Sequence, residues 1–292
     1  MKVTIGNEYL QLTVDTLGAQ MVSILGSDGC EYLWQGDPAY WAGQAPVLFP
    51  CIGRLKDKSY RLGDKTYNLP THGFASKMEY SVEKQPDCLT FRLCGSDATL
   101  AQYPFDFTLE IAYRLVGSTV RVEQRVINRG DETMYFALGG HPGFCVPLGR
   151  EGKFEDCYLE FDAPCFPERI DFHKETVLVT GKDTPYPLEG DKVLPLYHGL
   201  FDNDAIVLRH AARAVPLRSH ASSRSIRVAY PDMAYFGFWH MPKTDAGFVC
   251  VEPWTSLPGR HGVQEDLSCR SDLIHLQAGR SYENTWTITV SR

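Results

Sequence analysis

The stretch Phe105-Asp106-Phe107-Thr108-Leu109-Glu110-Ile111-Ala112-Tyr113-Arg114-Leu115 decides the fold class. Phe105, Phe107, Leu109, Ile111, Tyr113 and Leu115 occupy alternate positions, and Asp106, Thr108, Glu110 and Arg114 stand between them. A side-chain period of two, with one apolar and one mostly polar face, is the pattern of a half-buried antiparallel strand. Gly117-Ser118 supplies a turn. Residues 119–127 then resume the alternation, with Arg121, Glu123 and Arg125 on the polar face, and Asn128-Arg129-Gly130 supplies the next turn.

The same grammar extends in both directions. Tyr60 and Leu62, then Gly63-Asp64, then Tyr67 and Leu69 predict a hairpin. Tyr282, Trp286, Ile288 and Val290 fall on one face of a final strand. Helical periodicity is scarce, and only Ser96 to Tyr103 suggests a short helical turn. The Pro-, Gly- and charge-rich segment from Phe166 to Gly199 reads as a long excursion, not as a boundary between domains. The expectation is an all-β chain with few short helices. Residues 1–292 would form one domain, a large antiparallel β-sandwich.

Composition narrows the function. With 29 Lys and Arg against 36 Asp and Glu, the formal net charge is −7, which disfavours a general nucleic-acid-binding surface. No window holds the roughly 18 apolar residues of a membrane helix. The chain runs from Met1-Lys2-Val3 straight into strand-like sequence, with no leader pattern. Its nine cysteines are scattered and form no C-x-x-C pair. A cytoplasmic protein with free thiols is expected, with no nucleic-acid or membrane partner and no specified oligomeric state.

Three clusters interrupt the polar and apolar rhythm. The first is Phe49-Pro50-Cys51-Ile52-Gly53-Arg54, followed by Thr71-His72-Gly73-Phe74. The second is Gly139-Gly140-His141-Pro142-Gly143-Phe144. The third is Cys250-Val251-Glu252-Pro253-Trp254. Each sets one ionisable side chain at the end of an apolar run, where apolar neighbours shift its pKa toward acid–base use. Taken singly, each has an ordinary structural role. A lone His beside Gly is commonly a hydrogen-bonded core residue, Glu252 a salt-bridge partner, and Arg54 a surface cation beside Lys56. Asp204 can be a turn residue, and Trp239 and Trp254 can be core.

The co-occurrence of two His and one Glu in similar settings suits exchange of the anomers of a cyclic aldose. A base takes the C1 hydroxyl proton, an acid protonates the ring oxygen, and the ring opens, rotates at C1 and closes again. That chemistry needs no cofactor and no metal. The sequence has no P-loop, no G-x-G-x-x-G after a strand and no H-E-x-x-H. A metalloenzyme built on His72, His141 and His240 is the competing reading from another class, though these ligands lack the spacing of a familiar metal motif.

At these residues, and at Leu17-Gly18-Ala19-Gln20 and Phe201…Asp204, the chain resembles the aldose 1-epimerase family, and most of all its shorter LacX-like subgroup. The resemblance spans nearly the whole chain. It implies a β-sandwich with the site on a concave face. Glu252 would be the base, His141 the acid and His72 a second imidazole hydrogen-bonding the sugar; Arg54 and Asp204 would hold hydroxyls. Phe74, Phe144, Trp239 and Trp254 are candidates to stack on a pyranose. Leu55-Lys56-Asp57 stands where longer members carry an Asn-Arg pair, which leaves the sugar open. The expected partner is an aldohexose, free or phosphorylated. Arg54, Lys56, Lys77 and Arg260 are the cations that a phosphate would need together. Asp202 competes with Asp204 for the sugar. A carbohydrate-binding protein without turnover would need the aromatics and Asp204 but not Glu252.

Overall fold

Strands Phe107–Val116 and Thr119–Asn128 pair antiparallel along their whole length, from Thr119 opposite Val116 to Asn128 opposite Phe107. In the computed structural model, which describes residues 1–292, they lie within a nine-stranded antiparallel sheet. Thr119–Asn128 pairs on its other side with the last strand, Ser281–Ser291. On the inward face Phe107, Leu109, Ile111 and Tyr113 are buried. On the outward face Glu110 bridges Arg92 and Arg125 on the neighbouring strands, at 2.7 and 3.7 Å. Such exposed pairs are worth about 0–1 kcal/mol each. The sheet is therefore held by its buried side.

A second large antiparallel sheet carries the site. Its order runs Thr184–Pro185, Glu168–Arg169, Ile206–Arg209, Tyr235–Trp239, Phe248–Trp254, Gly139–Gly140, Val47–Leu48, and Gly143–Cys145 also pairs with Phe248–Trp254. A three-stranded sheet is built from Lys2–Gly6, Leu10–Asp15 and Gln20–Gly26. The predicted hairpin is present as Ser59–Leu62 with Lys65–Asn68, and the predicted helical turn as Asp97–Leu100, capped by Ser96. The excursion from Phe166 supplies three short strands, of which Thr184–Pro185 and Val193–Pro195 form sheet edges. All nine cysteines are free, and no helix is long and apolar enough to cross a membrane.

One contiguous cluster of 71 buried apolar residues joins the sheets. Its aromatic heart is Phe49, Phe74, Tyr103, Phe107 and Phe136. The strand Phe248–Trp254 is buried at all seven positions because it is covered on both faces. Val249 and Val251 belong to the large core, whereas Phe248 and Cys250 join a separate small cluster with Trp34, Trp41 and Trp239. The candidate site residues Trp239 and Glu252 lie on this second face.

Phe107 has no exposed surface and touches Phe49, Phe74 and Tyr103. Phe107→Ala is expected to cost about 3–5 kcal/mol, the usual range for truncating a buried aromatic. A urea titration followed by tryptophan fluorescence measures it.

Candidate active site

Glu252 lies in mid-strand, on the face that also carries Phe248, Cys250 and Trp254. Gly139 pairs with Trp254, and Gly143 pairs with Cys250. The register is the same on either side of Pro142, so His141 stands directly across from Glu252. Its Nε2 lies 3.2 Å from Glu252 Oε2. On the other flank Glu252 faces Gly237. Glycine is required around this pair for space. A Cβ on Gly237 would lie 3.3 Å from Glu252 Cβ, one on Gly140 2.6 Å from the Trp286 ring, and one on Gly143 2.9 Å from the Trp41 ring.

His72 arrives from a loop. His72 and Gly73 both have left-handed backbone, with φ of 63° and 74°. A Cβ on Gly73 would lie 2.1 Å from the Phe49 carbonyl oxygen, so only glycine lets the loop dock there. Two hydrogen bonds tie His72 to Gly53. The His72 N–H donates to the Gly53 carbonyl at 2.8 Å, and the Gly53 N–H donates to His72 Nδ1 at 3.1 Å. An accepting Nδ1 carries no proton, so neutral His72 holds its proton on Nε2. The His72 and His141 rings meet edge to face at 5.5 Å.

These groups line one cavity of about 520 Å³. Of the sequence-predicted residues, it holds Arg54, His72, His141, Asp204, Trp239, Glu252 and Trp254. Asp204, not Asp202, faces this space. Asp202 points elsewhere, and its Oδ1 accepts the Lys243 N–H at 3.1 Å. Phe74 is not in the wall. It is packed against Phe49, Tyr103 and Phe107 in the core, because it follows a tight turn that directs it inward. Phe144 is likewise fully buried.

The three-histidine metal reading does not assemble. His240 Nε2 is 2.8 Å from His198 Nδ1, and its Nδ1 is 2.6 Å from the Met241 carbonyl oxygen, so both of its ring nitrogens are engaged away from His72 and His141. The cations proposed for a phosphate do not converge either. Only Arg54 lines the cavity, while Arg260 is locked to the buried Glu265 by Nε and Nη2 contacts of 3.1 and 2.8 Å. Sequence reasoning missed Trp41, whose ring lies 5.1 Å from that of His141, and the wall residues Phe172, Val177, Met241 and Pro258. Tyr40-Trp41 within a Gly- and Pro-containing loop was the available signal.

Burial shapes the electrostatics. It pushes Glu252 well above the usual carboxylate range, and the nearby Asp204 charge adds to this, while the Trp254 indole N–H pulls the other way. It pushes His141 well below the usual imidazole range, helped by His72. His72 is lowered to about 4 by burial and then by the Arg54 charge. Glu252 Oε2, His141 Nδ1 and Trp254 Nε1 are all buried without a full hydrogen bond, because the 3.2 Å contact of Oε2 with His141 Nε2 and the approach of the Trp254 N–H to the carboxylate both miss hydrogen-bond geometry. Unpaired buried polar atoms are costly. Three of them around one cavity make a surface built to receive a polar ligand.

The family model described as aldose 1-epimerase matches residues 1–283, so the chain belongs to the aldose 1-epimerase family. It is 38% identical over 269 residues to the chromosomal LacX protein of Lactococcus lactis subsp. lactis, covering 88% of each chain. Its fold matches a galactose mutarotase related enzyme from Lactobacillus acidophilus with a TM-score of 0.94 at 30% identity, over 100% of this chain and 98% of that one. It also matches a galactose mutarotase-like protein from Lactobacillus casei ATCC 334 with a TM-score of 0.92 at 30% identity, over the whole of both chains. The expected antiparallel β-sandwich is the observed fold, and it is that of these galactose mutarotase-like structures.

The depressed pKa of His72 has a consequence for folding. The unfolded chain takes up this proton near the ordinary value of 6.5, whereas the folded chain does so only at about 4. The unfolded state binds more protons in between, so this residue's contribution to stability falls as pH drops through that window. Nitrogen-detected NMR of the imidazoles is expected to show His72 as the neutral Nε2–H tautomer down to about pH 4.

Proposed function

We propose that the chain interconverts the α and β anomers of a free aldohexose by general acid–base ring opening and closure. The observation that carries this reading is the face-to-face placement of His141 and Glu252, 3.2 Å apart in the wall of a cavity that also holds His72 and Asp204. The two oxygens that exchange protons, the C1 hydroxyl and the ring oxygen, are both bonded to C1. An acid and a base serving them must therefore be neighbours. Glu252 takes the hydroxyl proton while His141 gives one to the ring oxygen, and after rotation about C1 each group reverses its role.

The pair holds one proton before and after each step. It alternates between carboxylate with imidazolium and carboxylic acid with imidazole. Both arrangements are net neutral, which suits a buried site. His72, with its Nδ1 fixed by Gly53, donates from Nε2 to the sugar and orients it. Arg54 and Asp204 hold hydroxyls, and Trp41, Trp239 and Trp254 supply apolar surface. The relatives described as galactose mutarotase related and galactose mutarotase-like support this sugar class. A free hexose is favoured over a hexose 6-phosphate because Lys56 and Lys77 are absent from the cavity wall and Arg260 is engaged with Glu265.

Glu252→Gln and His141→Asn are each expected to lower the anomer-exchange rate by at least about two orders of magnitude. Asp204→Ala is expected to act mainly on KM. Saturation transfer between the anomeric protons of galactose, glucose and glucose 6-phosphate measures all three variants. Exchange that survives in Glu252→Gln, with galactose still bound, would reduce the protein to a carbohydrate-binding role.

The rate is also expected to follow a broad bell against pH. Adding a proton to the net-neutral pair creates a buried positive charge, so the acid limb lies below the ordinary imidazole range. Removing one creates a buried negative charge beside Asp204, so the alkaline limb lies above the ordinary carboxylate range. A pH–rate profile whose acid limb sits within or above the ordinary imidazole range, or whose alkaline limb sits within or below the ordinary carboxylate range, would contradict the shared-proton pair.

A further inference from the structure

Behind the acid–base pair sits a residue that the proposed reaction does not use. Cys250 is fully buried, two positions before Glu252 on the same strand and on the same face. Across from it is Gly143, where an added Cβ would stand 3.5 Å from Sγ. Cys250 Sγ, a His141 ring nitrogen and a Glu252 carboxylate oxygen all lie within 4.8 Å of one another. Glu252 is 2% exposed at its side chain, and its Oε2 has no full hydrogen bond.

We propose that Cys250, His141 and Glu252 form a binding site for a thiophilic divalent cation of the zinc class, and that an ion there excludes the sugar from the acid–base pair. The donor set is one thiolate, one imidazole and one carboxylate, which together suit zinc and its neighbours. Charge favours it as well. A divalent cation with one thiolate, one carboxylate and one neutral imidazole is net neutral, so the occupied site places no uncompensated charge in the interior.

Distances fit with a small adjustment. Ligands about 2.0–2.3 Å from zinc stand about 3.3–3.8 Å apart in a tetrahedral site. The His141–Glu252 separation of 3.2 Å is close to that range already. The thiol, within 4.8 Å of both, needs to close by at most about 1 Å, within the reach of side-chain rotation. The fourth position opens to the cavity that His141 and Glu252 line, where water completes the shell. Binding releases two protons, one from the Cys250 thiol and the one shared by His141 and Glu252, so affinity rises with pH.

The site rests on side-chain geometry, and only the inhibition rests on the proposed function. Chelator-treated protein titrated with Co²⁺ is expected to bind one ion through Cys250. It should show the visible bands of a four-coordinate ion and a near-ultraviolet thiolate-to-cobalt charge-transfer band, both bleached by Zn²⁺. Cys250→Ala, and the better space-filling Cys250→Ser, should lose the charge-transfer band and bind at least about tenfold more weakly. Both should keep galactose exchange while needing at least about tenfold more Zn²⁺ for inhibition. An unchanged cobalt spectrum in the Cys250 variants, a band that disappears instead in Cys94→Ser or Cys269→Ser, or no stoichiometric binding by the parent chain would overturn the site. A chain that binds Co²⁺ through Cys250 but does not exchange anomers would overturn the proposed function and leave the metal site standing.

Discussion

Glu252 lies in the middle of a strand with no exposed residue, and its carboxylate meets an imidazole from the link between the two short strands that pair beside it. Burying a lone carboxylate is expensive, and burying it beside a histidine that shares one proton is far less so. The rest of the site follows from keeping that pair facing and open. The strands on either side of Pro142 hold one register, so the opposition of His141 and Glu252 is a property of the sheet and not of a flexible loop. Glycines at 139, 140, 143 and 237 stand where side chains would collide with Trp254, Trp286, Trp41 or Glu252.

Around this fixed pair the cavity is assembled from loops. The loop bearing His72 is docked by left-handed backbone at two successive residues and by paired hydrogen bonds to Gly53. The excursion after Phe166 contributes Phe172 and Val177, and the loop before Val47 contributes Trp41 and Pro46. The sheet sets where His141 and Glu252 stand, and the loops set the size of the space and which side chains line it. This division lets the facing pair be rigid while the walls vary.

Much was legible in the chain because strand alternation is local. The runs at 105–115 and 119–127, the hairpin at 60–69 and the helical turn near Ser96 are all present. His72, His141, Glu252, Arg54, Asp204, Trp239 and Trp254 do share one cavity. Phe74 and Phe144 were misjudged as stacking surfaces because proximity to a functional residue in sequence does not say to which face of a sheet or turn a side chain points. Trp41 and Phe172 were missed because they come from loops distant in sequence, and no periodicity marks a loop residue that closes a wall.

Hydrophobic period, turn residues and the isolated ionisable groups among glycine, proline and aromatics are written along the chain, and they suffice for an all-β architecture and for its candidate acids and bases. Which groups meet is a question of register between segments more than a hundred residues apart. Only the paired strands answer it, by setting His141 against Glu252, turning Asp204 inward and Asp202 away, holding His240 on His198, and bringing Cys250 within reach of the same pair. The physical reason is that a one-residue slip in pairing would reverse every side chain across the sheet, and no local pattern at 141 or 252 specifies that pairing.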